Sequence, residues 1–79
     1  MTRLVVGCNY HTTWQSHKAM RFELTALYPS INKAKLETRT TGKSFFTSID
    51  DLIFIESDHN IKKADRLEGR NEILNESKL

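Results

Sequence analysis

Apolar and polar residues alternate along the middle of this chain. Met20, Phe22, Leu24, Ala26 and Tyr28 take every second position, with Arg21, Glu23 and Thr25 between them. A period of two marks a strand with one buried face. Ala34, Leu36, Thr38 and Thr40 repeat the pattern against Lys33, Lys35, Glu37 and Arg39, and Thr41-Gly42 then turns the chain back through Phe45-Phe46. With the apolar stretches at either end, the pattern predicts five strands, over residues 3–8, 18–28, 33–40, 44–49 and 52–56.

The connections follow from turn chemistry. Residues 9–17 form a long polar loop, and Pro29-Ser30-Ile31-Asn32 supplies turn dihedrals between the second and third strands. Mirrored about that turn, Leu24 falls opposite Thr38, Ala26 opposite Leu36 and Glu23 opposite Arg39, so burial and charge pairing agree on one register. Asp50-Asp51 reads as a tight turn or a single helical turn before the last strand. The expected core is Leu4, Val6, Met20, Phe22, Leu24, Leu36 and Leu52.

The character changes after Asp58. Asn60 is placed to cap a helix carrying Ile61, Ala64 and Leu67 on one stripe, Gly69 is a natural stop, and residues 70–79 are mostly polar and expected to fray. The division expected is therefore a small β-domain over residues 1–57 and a helix with a polar tail over 58–79.

In order and spacing these parts resemble the SH3-like small barrel, over residues 3–56. That fold places a long loop after strand one, a short loop between two and three, a tight hairpin between three and four, and a helical turn before strand five. Here the matching segments are 9–17, 29–32, 41–42 and 48–51. The resemblance implies an all-β fold, a five-stranded SH3-like small barrel followed by a short C-terminal helix. It does not imply recognition of proline-rich peptides: strand three begins at Lys33 rather than at a tryptophan, and the turn before strand five reads Ser48-Ile49-Asp50-Asp51. Small barrels host many kinds of binding, so function must come from the site.

Length and charge narrow the choice. Seventy-nine residues support one small core, and 38% hydrophobic with 28% charged residues fits a soluble globular chain rather than a disordered one. Twelve basic residues against ten acidic leave a formal charge of +2, too little to act as a non-specific polyanion binder. A single cysteine, Cys8, excludes an internal disulfide, and Gly7 and Asn9 interrupt the apolar start; a cytoplasmic protein with no membrane segment is expected.

Two places carry candidate chemistry. The loop 9–17 and its following lysine hold Tyr10, His11, Trp14 and His17. Trp14 and Tyr10 either fold back as a lid over the open end of the barrel or form a recognition loop on a rigid scaffold. Phe45-Phe46 is the second place: neighbours on a strand face opposite ways, and a two-residue Thr41-Gly42 turn pairs Phe45 with Thr38 and sends it inward, whereas a loop one residue longer sends Phe46 inward instead. The outward Phe, with Phe46 as the candidate, either packs under the helix stripe or, with Arg21, Arg39 and Lys43, forms a stacking platform flanked by phosphate contacts.

Cys8 and His11 are spaced like half a zinc site, but the other half is missing, and His17 and His59 have no spacing rule joining them, so no metal and no cofactor is expected. Cys8 shares the inward face with Leu4 and Val6, where a thiol is inert, so no enzyme is expected. The expected function is a non-catalytic protein-interaction module, an adaptor or inhibitor with another protein as its partner. The alternative is a nucleic-acid-binding accessory protein. Oligomeric state is not legible from the pattern.

Overall fold

The structure, a computed structural model, describes residues 3–16 and 20–78, with side chains as far as Glu68. Five antiparallel strands, β1 (Asn9–Thr12), β2 (Phe22–Tyr28), β3 (Lys33–Thr38), β4 (Ser44–Ser48) and β5 (Leu52–Phe54), are followed by one helix, α1 (Asp58–Lys78). Single 3-10 turns at Pro29–Ile31 and Ile49–Asp51 lead into β3 and β5. The sheet runs in the order β4-β3-β2-β1-β5. The expected closure into a barrel is not made: β4 and β5 are the two edges of an open sheet.

The inner face of the sheet gathers Tyr10, Phe22, Leu24, Ala34, Leu36, Leu52 and Phe54, closed from the other side by Val5, Cys8 and Ala64. Ile61 and Leu67 of α1 pack against this cluster, as their spacing predicts. Phe45 also turns inward, opposite Leu36 rather than Thr38, because the hairpin is longer than two residues. Thr38 N–H donates to the Lys43 carbonyl at 2.9 Å, and Gly42, with φ of 70°, brings its own N–H back to the Thr38 carbonyl.

The register between β2 and β3 departs from expectation by one residue at the Pro29–Ile31 turn and by one more at a β-bulge at Thr25. Leu24 pairs with Leu36, Ala26 with Lys35 and Tyr28 with Lys33, so one extra residue sits on β2 between Leu24 and Ala26. The extra residue exchanges the faces beyond it. Leu27 turns inward opposite Ala34, and Tyr28 turns outward. Glu23 faces Glu37 instead of Arg39, a like-charge pair where an ion pair was expected.

The N-terminal segment departs most from expectation. Residues 3–8 are not a strand; the chain turns at Val6-Gly7, with Cys8 N–H bonded to the Val5 carbonyl at 3.1 Å. Gly7 takes φ of 102° and lies so close to α1 that a Cβ there would meet Leu67 Cδ1 at 2.9 Å. The turn reverses the parity of the segment: Val5 and Cys8 are buried, Val6 only packs against the core, and Leu4 is 40% exposed. Met20 is likewise outside the core, at 46% exposure.

The helix starts earlier and runs longer than expected. Ser57 caps it, its Oγ accepting from Asn60 N–H at 3.2 Å and its carbonyl accepting from Ile61 N–H at 2.8 Å. Asn60 is therefore inside the helix, and α1 continues through Gly69 to Lys78. The fraying expected of 70–79 concerns side chains outside the described residues. Among the described residues no helix is long and apolar enough to cross a membrane.

Candidate functional site

Trp14 lies in the connection after β1, and three contacts fix its ring. The indole Nε1–H donates to Thr47 Oγ1 on β4 at 3.0 Å. The ring meets Phe45 edge-on, centroids 5.7 Å apart, and tilts against Phe22 at 6.1 Å. Phe22 and Phe45 complete the triangle at 5.1 Å. Trp14 is nevertheless 55% exposed. It covers the open side of the inner face as a lid would, and it presents the rest of its ring to solvent.

The loop around it is held by short local bonds. Thr12 N–H donates to Gln15 Oε1 at 2.7 Å, and Gln15 Nε2–H donates to the Met20 carbonyl at 3.1 Å. His11 Nδ1 lies 3.0 Å from the same carbonyl, so the Met20 backbone is gripped from two sides while its side chain stays exposed. From the other end, Thr13 N–H and Oγ1–H donate to the carbonyl and carboxylate of Asp51 at 2.9 and 2.8 Å. The loop is thus tied to both the start of β2 and the turn before β5.

Tyr10, expected in this loop, lies instead in β1 and is fully buried. Its hydroxyl accepts from Val5 N–H at 2.8 Å and donates to the Arg3 carbonyl at 2.5 Å, pinning the N-terminal segment to the sheet. Burial pushes its phenol up to about 12. His11 also belongs to β1, half-buried. His17 and Lys18 fall outside the described residues.

The basic candidates gather at one end of the sheet. Phe22 pairs with Thr38, and Thr38 bonds to Lys43, which places Arg21, Arg39 and Lys43 beside one another where β2 begins, β3 ends and β4 begins. All three are exposed. The same end carries the opposed Glu23 and Glu37, which offset much of that charge on the outer face.

Phe46 is on the outer face, 62% exposed, and is not packed under α1. Its ring lies 6.0 Å from that of Tyr28, itself 42% exposed. Lys35 stands opposite Phe46 and Lys33 opposite Tyr28, giving an aromatic pair with two lysines on one surface. Sequence alternation hid Tyr28 by assigning it inward, and no residue of β2 announces the bulge that turns it out.

Cys8 is buried with its Sγ 3.9 Å from the Asn60 carbonyl, and burial pushes its thiol up from the usual range, the direction that disfavours a nucleophilic thiolate. Among the described residues no three His, Cys, Asp or Glu side chains are grouped to hold a metal ion. Comparison of the chain with models of known protein families, with curated proteins and with solved structures finds no match.

Proposed function

We propose that this chain is a non-catalytic protein-interaction module of the SH3-like small-barrel kind, docking on its partner through Trp14. The strand order, the long first connection and the 3-10 turn before β5 support the architectural half of that reading, with the sheet left open. The functional half rests on one observation: a tryptophan locked by Thr47, Phe22 and Phe45 is still more than half exposed. A ring held in place before binding loses little freedom on binding, and tryptophans so placed dominate interface energies.

The surroundings suggest what the partner offers. Exposed Met20 extends the apolar surface, while Arg21, Arg39 and Lys43 lie at one end of the sheet. A partner segment with an aromatic or aliphatic anchor and nearby carboxylates meets both features.

Those three exposed cations gathered at one end of the sheet give the nucleic-acid alternative its one favourable observation. The Glu23–Glu37 pair and the formal charge of +2 weigh against it.

A peptide-display selection on the wild-type chain and on Trp14→Ala tests the proposal. Enrichment of acidic sequences with an apolar anchor, lost on folded Trp14→Ala, is expected. Equal enrichment on both, or tight and steeply salt-dependent binding of mixed single-stranded RNA or DNA, overturns it.

A further inference from the structure

Strand β4 is an edge without the protection edges ordinarily carry. Its sequence, Ser44-Phe45-Phe46-Thr47-Ser48, has no charge, no proline and no glycine, and its pairing with β3 runs without a bulge. Edge strands of monomers are blunted by one or more of those devices, because their unpaired N–H and C=O groups otherwise recruit another strand.

The hydrogen-bond phase identifies the groups that face out. Thr38 N–H bonds to the Lys43 carbonyl and Ile49 N–H to the Asn32 carbonyl, so the odd-numbered residues of this strand are the ones bonded to β3. In an antiparallel ladder the alternate residues point their polar groups the other way. Those of Ser44 and Phe46, and the N–H of Ser48, therefore point away from the sheet, and the described residues include no hydrogen bond to them. The Ser48 carbonyl also opens the 3-10 turn Ile49–Asp51 and offers its second lone pair outward.

We infer that β4 pairs with β4 of a second copy of this chain, antiparallel, about a two-fold axis at Phe46. This goes beyond the reading of Trp14 and uses the outer face. The strand is nearly palindromic about that axis: Phe46 meets Phe46, Ser44 meets the second copy's Ser48, and Phe45 meets its Thr47. Every outward N–H and C=O of β4 finds a partner in that register, since a residue on the axis exchanges both of its bonds with itself.

Side chains on the outer face support a second copy rather than an unrelated strand. Phe46 is exposed on one copy alone and becomes a cross-strand aromatic pair in two, extended by each Tyr28. The adjoining rows are complementary in charge. Glu37 lies beside Ser44 and Lys33 beside Ser48, so the pairing of Ser44 with the second copy's Ser48 puts Glu37 of one copy in line with Lys33 of the other, twice over. Their backbones stand ~14 Å apart by strand spacing, and the opposite charges lean together over the small serines. The two Lys35 side chains, in the row of the axis, lean apart.

The axis makes a specific demand on mutation, because residue 46 faces itself. Phe46→Glu and Phe46→Lys each place like charges together, and an equimolar mixture places opposite charges together. Both substitutions are at an exposed position, so circular dichroism should show the fold retained. Sedimentation of the wild-type chain from ~10 µM to ~1 mM, the range in which a small interface associates, should show the mass rising from one copy toward two. Each variant alone should remain at one copy, and the mixture should recover dimer. Amide exchange of the wild-type chain should slow with concentration at Ser44, Phe46 and Ser48 but not at Thr47.

A wild-type chain that stays monomeric throughout overturns the inference, as it does if a foreign extended segment is the true occupant. Larger assemblies with new protection on β5 overturn it in favour of head-to-tail pairing. A dimer unaffected by both variants places the interface elsewhere. Peptide capture through Trp14 is read separately on monomeric Phe46→Glu, so either reading fails without the other.

Discussion

The side-chain amide of Asn60 pairs with the backbone of Asn9 as a neighbouring strand would. Its Oδ1 accepts from Asn9 N–H at 2.9 Å, and its Nδ2 donates to the Asn9 carbonyl at 3.0 Å and to the Ile55 carbonyl at 2.8 Å. Both residues are buried, so no solvent stands in for these bonds. One helix side chain thereby completes the ladder at the first residue of β1 and fixes α1 on the sheet.

Asn60→Ala should be severely destabilising, because it strands the buried Asn9 N–H and Ile55 carbonyl without partners and leaves the Asn9 carbonyl only its 3.4 Å bond from Ile55 N–H. Each such group costs about 1–3 kcal/mol, and a loss of about 3 kcal/mol or more is expected in urea unfolding. Asn60→Asp should fare little better at neutral pH, since a carboxylate has no donor for the two carbonyls. A variant as stable as wild type would show that α1 is held by apolar packing alone.

Tyr10 couples stability to alkaline pH. Its phenol is raised in the folded chain from an ordinary 10 to about 12, so the unfolded state gives up the proton first as pH rises. The contribution is complete below pH 10 and is lost as pH climbs through 12, a fall of about 2–3 kcal/mol for a shift of this size. Tyr10→Phe should lose about 1–3 kcal/mol at neutral pH, from the unpaired Val5 N–H and Arg3 carbonyl, and should flatten this part of the alkaline profile. Denaturant melts between pH 8 and 12 on both chains measure the difference.

Leu24 and Met20 share a parity in sequence but not an environment. Leu24→Ala opens a cavity in a fully buried site and should cost about 2–5 kcal/mol. Met20→Ala should change stability by less than about 0.5 kcal/mol, as at an ordinary surface position. Equal losses in thermal melts would mean that the alternation of β2 continues inward past Phe22.

Trp14→Ala removes two ring contacts and one hydrogen bond from a site still open to water. A loss of about 1–2 kcal/mol is expected, well short of a buried tryptophan. As the only tryptophan, it reports its own exposure: iodide should quench much of the native fluorescence. Fluorescence fully protected from iodide would contradict a half-exposed ring.

Much of the sheet was legible in residues 22–54. Strands 33–38, 44–48 and 52–54 fall within the segments their alternation predicts, while the choice between Phe45 and Phe46 for the inner face stays open in the sequence and is settled by the hairpin length. The Ile61, Ala64 and Leu67 stripe packs on the core as its helical spacing requires. These features depend on neighbours a few residues away, and local periodicity reports them directly.

Residues 3–8 show where that information ends. Leu4, Val6 and Cys8 alternate as a strand would, yet the Tyr10 hydroxyl and the close approach of Leu67 to Gly7 select a turn that buries Val5 and Cys8 and exposes Leu4. Asn60 reads as a helix cap because asparagine caps helices well, and only its position over Asn9 gives its amide a different use. For the candidate site, the sequence marked Trp14 and Phe46 as unusual. It could not assign Tyr10 to the core or Tyr28 to the surface.

The amino-acid order by itself determined a small antiparallel sheet with a helix after it, because strand alternation, turn residues and helix spacing are each set within a few positions. Tertiary structure decided which faces those strands present. The bulge at Thr25 turns Tyr28 outward beside Phe46, and the loop tied to Met20 and Asp51 lays Trp14 against Phe22 and Phe45. A bulge moves every later side chain to the opposite face, and its energy depends on the packing of the whole sheet, including Leu27 against Ala34 and Leu24 against Leu36. No window of sequence shorter than the fold contains that sum.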